Sequence, residues 1–290
     1  MTGVQTCALP ICANVVALSS LAQRWEAVIC ADTAHVHIDE GGAPEQMAGL
    51  KLWPVPTPDG KLTPALVDTM AIDFGFVHRA QPAVVTLAQS TELGTVYSVD
   101  ELAALVDHAH GLGLRVLMDG ARLANAAAGL GVPLRAITTD VGIDALSFGG
   151  TKNGAMLSEA VIVLDPDAAP GVAYLRKSSM QLASKMRFVS AQLLALLTDD
   201  LWQRNAQHAN AMARRLANAV SAIDGVRLTQ PVQANAVFAV LPSGAAERLQ
   251  QRFRFYTWNQ ATGEVRWMCS WDTTDEDVAG FAAAIAEECA

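Results

Sequence analysis

Five short, apolar, β-branched stretches punctuate the first two thirds of the chain: 27–31, 84–88, 115–119, 144–148 and 160–164. Longer segments with apolar residues at helical spacing separate them. Near-continuous apolar strands alternating with helices predict an α/β fold with a mainly parallel sheet, because such strands meet core on both faces. Between the second and third stretches, Ser98 can cap a helix and Glu101 stands three positions on, as in a capping box. Gly111 or Gly113 can stop that helix, which makes this unit a strand-helix-strand crossover of right-handed sense.

After Ala183 the pattern changes. A long helical stretch runs through Ala222, followed by a strand over 235–241, a helix near 245–252, a strand over 265–271 and a final acidic helix. This predicts a small α+β C-terminal domain over 196–290 behind a large domain over 13–195, with a boundary near residue 195. There is no repeat and no Gly/Ser linker, so the two parts are expected to pack together, joined by the long helix. The first twelve residues, MTGVQTCALPIC, do not match the rest of the chain and read as a foreign-looking leader, akin to translated vector or adapter sequence.

Composition narrows the function. With 290 residues, 51% of them apolar, the chain can bury a full core. A formal charge of −9 argues against nucleic acid or an anionic membrane as partner, because both are polyanions. No apolar run approaches the roughly 20 residues needed to cross a bilayer, and Met1 to Cys12 lacks the basic start of a signal peptide. The expectation is a cytoplasmic protein acting on small molecules. Five scattered cysteines (Cys7, Cys12, Cys30, Cys269, Cys289) show no CxxC spacing, so neither a disulfide framework nor a zinc site is suggested.

In an open α/β sheet, ligands collect outside the carboxyl ends of the strands. Three polar clusters fall there: His35 to Glu40, Asp119 to Arg122, and Ser147 to Lys152. Lys152 follows a strand in a Gly-rich turn, where its amine can reach into a cleft and form a Schiff base with a carbonyl. Taken alone, such a lysine reads as a solvated surface residue. Asp119 ends an apolar strand, and a carboxylate there needs a cationic or hydrogen-bonding partner. A protonated pyridine nitrogen is one such partner; a helix cap is the plain alternative.

Two other chemistries compete for these residues. His35, His37 and Asp39 have the look of metal ligands, which would suit a metal-dependent hydrolase. The other histidines (His78, His108, His110, His208) do not follow later strands, where further ligands would be needed, so no metal is expected. No GxGxxG lies between a strand and a helix, which sets aside a nicotinamide dehydrogenase.

Five segments, AVICADTAHVHIDEGGAP, STELGTVYS, LMDGARLANA, SFGGTKNGA and SKMRFVSAQ, resemble in order and spacing the threonine aldolases of the β-eliminating lyases, over residues 13 to about 285. The resemblance implies the aspartate-aminotransferase-like fold, pyridoxal 5'-phosphate as cofactor, and a β-hydroxy amino acid as substrate. It makes Lys152 the Schiff-base lysine, Asp119 the partner of the pyridine nitrogen, and Arg122 a contact to the ring's phenolic oxygen. It places His35 on the ring face and Ser147 and Thr151 among the cofactor contacts. Arg266 matches the arginine that grips the substrate carboxylate. Arg187 matches a basic residue that reaches the cofactor phosphate across a subunit interface, which implies a homodimer or homotetramer with shared sites. Glu92 stands where some members carry histidine, so His35, Glu92 or a water are the candidates for the proton at the substrate hydroxyl. The family's Gly/Thr-rich phosphate turn should precede Ala13, where Leu9-Pro10-Ile11-Cys12 stand instead, and proline offers no amide hydrogen. β-Elimination, transamination and a catalytically impaired truncated remnant therefore stay open as alternatives.

Overall fold

A computed structural model describes residues 3–7 and 10–289. Four leader residues, Met1, Thr2, Ala8 and Leu9, lie outside the described residues, so the departure at the expected phosphate turn is described only from Pro10 onward.

The larger sheet contains β1 (Gly3–Cys7), β2 (Glu26–Ala31), β3 (Lys51–Val55), β4 (Gln81–Ala88), β5 (Arg115–Gly120), β6 (Ala145–Gly149) and β7 (Glu159–Val163). Their order is β1-β7-β6-β5-β4-β2-β3. Pairing is parallel from β3 through β6, whereas β7 runs antiparallel to both β6 and β1. A second sheet of β8 (Arg227–Leu228), β9 (Ala236–Val240), β10 (Tyr256–Asn259) and β11 (Glu264–Met268) is antiparallel throughout, in the order β10-β11-β9-β8.

Helices α1 (Pro10–Leu21), α2 (His35–Ile38), α3 (Pro64–Asp68), α4 (Val99–Gly111) and α5 (Leu123–Leu130) accompany the large sheet. Then come α6 (Val172–Ser178), α7 (Met186–Leu197), α8 (Leu201–Val220), α9 (Ala245–Gln250) and α10 (Asp275–Cys289).

The five strands expected from apolar runs form as β2 and β4 to β7, because each can bury both faces. The edge strands β1 and β3 carried no such signal; β3 contains Lys51 and Pro54, which only an edge position tolerates. Helix α4 starts on the expected capping box, with the Glu101 N–H donating to Ser98 Oγ (3.1 Å) and the Ser98 N–H to Glu101 Oε2 (2.7 Å). Gly113, at φ +76°, then lets the chain turn into β5.

The single long helix expected after Ala183 is corrected. It forms as α7 and α8, broken at Asp199 and Asp200, which sit at φ 50° and 55°. Short acidic side chains tolerate that left-handed conformation, whereas helical periodicity alone does not register the break.

One core packs α4, α5 and the start of α8 on one sheet face; a second packs α1 and α6 on the other. Ala213, Leu216, Ala217 and Val220, at the far end of α8, belong to the core of the small sheet with Val237, Val265 and Trp267. Helix α8 thus contributes to both halves, and buried hydrogen bonds between Asn125 and Asn210 pin it to α5.

Candidate active site

The carboxyl ends of β2, β4, β5 and β6 open on one side of the sheet, and the chemistry-bearing side chains follow them. Asp119, next to last in β5, is 7% exposed. Its Oδ1 accepts the Ala121 N–H (2.9 Å) and its Oδ2 accepts Asn14 Nδ2 (2.9 Å). The same amide of Asn14, on α1, donates to Glu40 Oε1 (2.7 Å), which also meets His35 Nδ1 (2.8 Å). The two hydrogens of one amide group therefore bridge two buried carboxylates. The carboxylate bond of Glu40 raises the His35 imidazole pKa, burial opposes this, and the charges of Glu92 and Asp119 add to it. Burial raises Glu40, while its bonds to His35 and Asn14 pull it back. Donor atoms of His35, Glu40 and Asp119 all lie within 4.8 Å of one another, but internal hydrogen bonds already knit them.

Lys152 rides on a short turn, Thr151–Asn153, directly after β6. Glycine is obligatory in the approach: a Cβ on Gly149 would lie 2.7 Å from the Ala121 backbone, and one on Gly150 2.6 Å from the Ser158 carbonyl. Lys152 is exposed to solvent, yet neighbouring protein still crowds its amine. That crowding lowers its amine pKa, the charge of Arg122 adds to the effect, and Asp119, Glu92 and Glu159 oppose it. Access to water tempers the penalty.

Arg266, in the middle of β11, brings the small sheet to the cleft. Its guanidinium lies over the Trp258 ring (4.3 Å) and 3.8 Å from Glu92 Oε2. Burial lowers its pKa, and the like charge of Arg122 adds to this. Ser90, Glu92, Arg122 and Arg266 line one small recess. Four buried polar atoms around the cleft have no partner among the described residues: Asn14 Oδ1, Glu40 Oε2, Ser90 Oγ and Arg266 Nε.

The structure thus gathers Lys152, Asp119, Arg122, His35, Glu92 and Arg266 into one electrostatically connected cleft. Ser147 is buried in β6, in register with Asp119. Thr151 faces the chain behind it, its N–H donating to Glu159 Oε1 (3.2 Å) and its hydroxyl accepting the Ser158 N–H (3.1 Å). Arg187 is not gathered with the others. It is exposed at the start of α7, stacked on Phe188 at 4.9 Å. His35 and His37 lie on the helical turn α2, where positions two apart do not share a face, so they make no paired metal ligands.

Sequence reasoning missed Asn14, Ser90, Trp258 and Glu159, and gave Glu40 no role. Asn14 and Ser90 carry no local signal, since one lies in an apolar helix and the other in a loop. A carboxylate opening the apolar strand β7 was the one available hint for Glu159.

A mainly parallel sheet with a lysine turn after one strand and a buried carboxylate at the end of its neighbour suits an α/β enzyme, in which such a lysine can form a Schiff base with a carbonyl. Residues 11–242 match the family model described as beta-eliminating lyase. The chain is 47% identical over 268 residues to the low specificity L-threonine aldolase of Pseudomonas aeruginosa, covering 92% of this chain and 77% of that one. The counterpart of Pseudomonas sp. is 46% identical over 275 residues, covering 94% and 79%. The threonine aldolase structure from Leishmania major superposes with a TM-score of 0.92 at 30% identity, covering 100% of this chain and 85% of that one. The chain belongs to the beta-eliminating lyase family, with the type I fold of pyridoxal-phosphate enzymes.

Proposed function

We propose that the protein is a pyridoxal-phosphate-dependent lyase that cleaves the Cα–Cβ bond of L-threonine and allo-threonine, giving glycine and acetaldehyde. The observation that carries this reading is the placement of the Lys152 amine and the buried Asp119 carboxylate in one cleft, with Arg266 entering from the small sheet. The names of the relatives in Pseudomonas and Leishmania point to the same reaction.

The cleft fits the cofactor. Its unpaired buried atoms on Asn14, Glu40, Ser90 and Arg266 ask for a polar ligand, and Asp119 offers a carboxylate positioned for a ring nitrogen. Lys152, Asp119, Arg122, His35 and Ser147 would hold it. Pyridoxal phosphate, when bound, supplies an electron sink for the carbanion left as the Cα–Cβ bond breaks.

The remaining work falls to the chain. Asp119, which accepts the Ala121 N–H and the Asn14 amide, would be the carboxylate partner of the ring nitrogen. Arg266 presents a planar fork to the substrate carboxylate, and its seat on Trp258 restricts its rotation. His35, Glu92 or a water would take the proton from the β-hydroxyl, and the Lys152 amine could move a proton at Cα.

Arg187 we assign to the phosphate of a neighbouring subunit's site in a homo-oligomer. Its exposure on α7 beside exposed Phe188, Leu194 and Leu197 supports that assignment. No helix among the described residues is long and apolar enough to cross a membrane; we propose a cytoplasmic location and the domain division near residue 195.

The test is an absorbance spectrum with added pyridoxal phosphate, followed by borohydride reduction and an aldehyde-release assay with threonine. A violet-region band reduced onto Lys152, with acetaldehyde formed, is expected. Lys152→Ala should lose both, and a yellow, active Lys152→Ala protein refutes the assignment.

A further inference from the structure

The carboxylate of Glu40 meets the cleft through one oxygen, and that oxygen has two polar neighbours. Glu40 Oε1 receives the Asn14 amide at 2.7 Å and lies 2.8 Å from His35 Nδ1. The Glu40 side chain is fully buried, whereas that of His35 stays partly exposed. The amide nitrogen of Asn14 also serves Asp119 Oδ2 at 2.9 Å, so turning the amide over would set its oxygen against two carboxylates. Asn14 therefore donates, Glu40 Oε1 is held as an acceptor, and the proton between Oε1 and Nδ1 belongs to the ring. The chain supports this arrangement locally: His35 opens the turn α2, and Gly41 and Gly42, at φ 60° and 72°, bend the backbone immediately after Glu40.

We propose that Glu40 is the positioning residue for His35: it keeps the ring proton on Nδ1, so that Nε2 is the nitrogen the neutral ring offers as a proton acceptor. The inference deepens the reading of His35 as a candidate for the β-hydroxyl proton and rests on it. The tautomer of a histidine is set by the hydrogen bond that one of its nitrogens makes. Left to water, a neutral histidine prefers its proton on Nε2, and that nitrogen would then be a donor with nothing to take a proton from a hydroxyl. Glu92 and Asp119 add charge around the ring, whereas the directional bond comes from Glu40.

Nitrogen-15 NMR of the cofactor-free protein with labelled histidine reads the tautomer directly. Above the pH at which the ring has titrated, the His35 signals, identified by their loss in His35→Asn, should show a protonated Nδ1 and a bare Nε2. Glu40→Ala should move the proton to Nε2. Glu40→Gln keeps an oxygen that the Asn14 amide holds toward the ring, and should restore the Nδ1–H form. A native ring protonated on Nε2, or an alanine variant with the native pattern, overturns the proposal. If the alanine variant does not fold, the native chain and the glutamine variant decide, and an Nε2–H ring in either overturns it. With pyridoxal phosphate and threonine at the same pH, kcat should fall about tenfold or more in Glu40→Ala and largely recover in Glu40→Gln; the fall is smaller than the full worth of a positioned base because the ring can still reach the productive tautomer. A switched tautomer with native kcat, or equal losses in both variants, overturns the role in the reaction. A native protein that forms no acetaldehyde overturns the lyase reading instead, and leaves the tautomer result standing.

Discussion

The buried carboxylate of Glu159 gives a stability prediction whose size follows from the structure. Glu159 is almost fully buried, and its carboxyl is pushed from the ordinary 4.5 to about 7. The folded chain therefore binds that proton more tightly than the unfolded chain does. The associated stability is fully present below about 4.5, declines as pH rises, and is gone above about 7. A rise of this size corresponds to about 3 kcal/mol. Glu159→Gln cannot ionise, so it should lose less stability over that window than the native chain, the contributions of His35 and Glu40 being common to both. Urea unfolding followed by tryptophan fluorescence, at about pH 5 and about pH 8, isolates the effect, because any pH-independent cost of the amide cancels in the difference. The variant should gain about 2–3 kcal/mol relative to the native chain between the two conditions. Parallel pH dependences, within about 0.5 kcal/mol, would mean that the buried carboxylate is solvated by something the side-chain geometry does not show.

Asn14→Ala removes the amide that bridges Glu40 and Asp119, and each carboxylate keeps one other donor, so unfolding should show a loss of about 2–4 kcal/mol; a loss below about 0.5 kcal/mol counts against the bridge. Glu40→Gln takes away the largest influence raising His35, so the imidazole titration followed by proton NMR should move to lower pH, and an unmoved titration refutes the pairing. Arg266→Lys keeps the charge but loses the fork. The loss of one charge-assisted bond, about 1.5–3 kcal/mol, should lower kcat/KM for threonine about tenfold to a hundredfold, and an unchanged value removes Arg266 from carboxylate binding.

Some of this was legible in the chain because it rests on local rules. Apolar runs such as Val84 to Ala88 can satisfy only a doubly covered strand, and Ser98 with Glu101 form their capping box from neighbours three residues apart. Lys152 and Asp119 were legible because strand ends in a parallel sheet share one side, so a turn lysine and a strand-end carboxylate acquire a common address before any distance is known. Tertiary structure alone decided what lies between them. Asn14 and Asp119 stand 105 positions apart, and no period or spacing announces that one amide will bridge Asp119 and Glu40. The seat of Arg266 on Trp258 depends on β10 pairing with β11, and its approach to Glu92 depends on the small sheet meeting the large one. The break at Asp199 and Asp200 depends on backbone angles that helical periodicity does not encode. Glu159 shows the division most sharply: its identity is plain in the sequence, but its burial and its bond to the Thr151 N–H exist only when β7 turns back beside β6. Burial and long-range hydrogen bonds are properties of the packed chain, whereas strand, helix and cap are largely properties of neighbours.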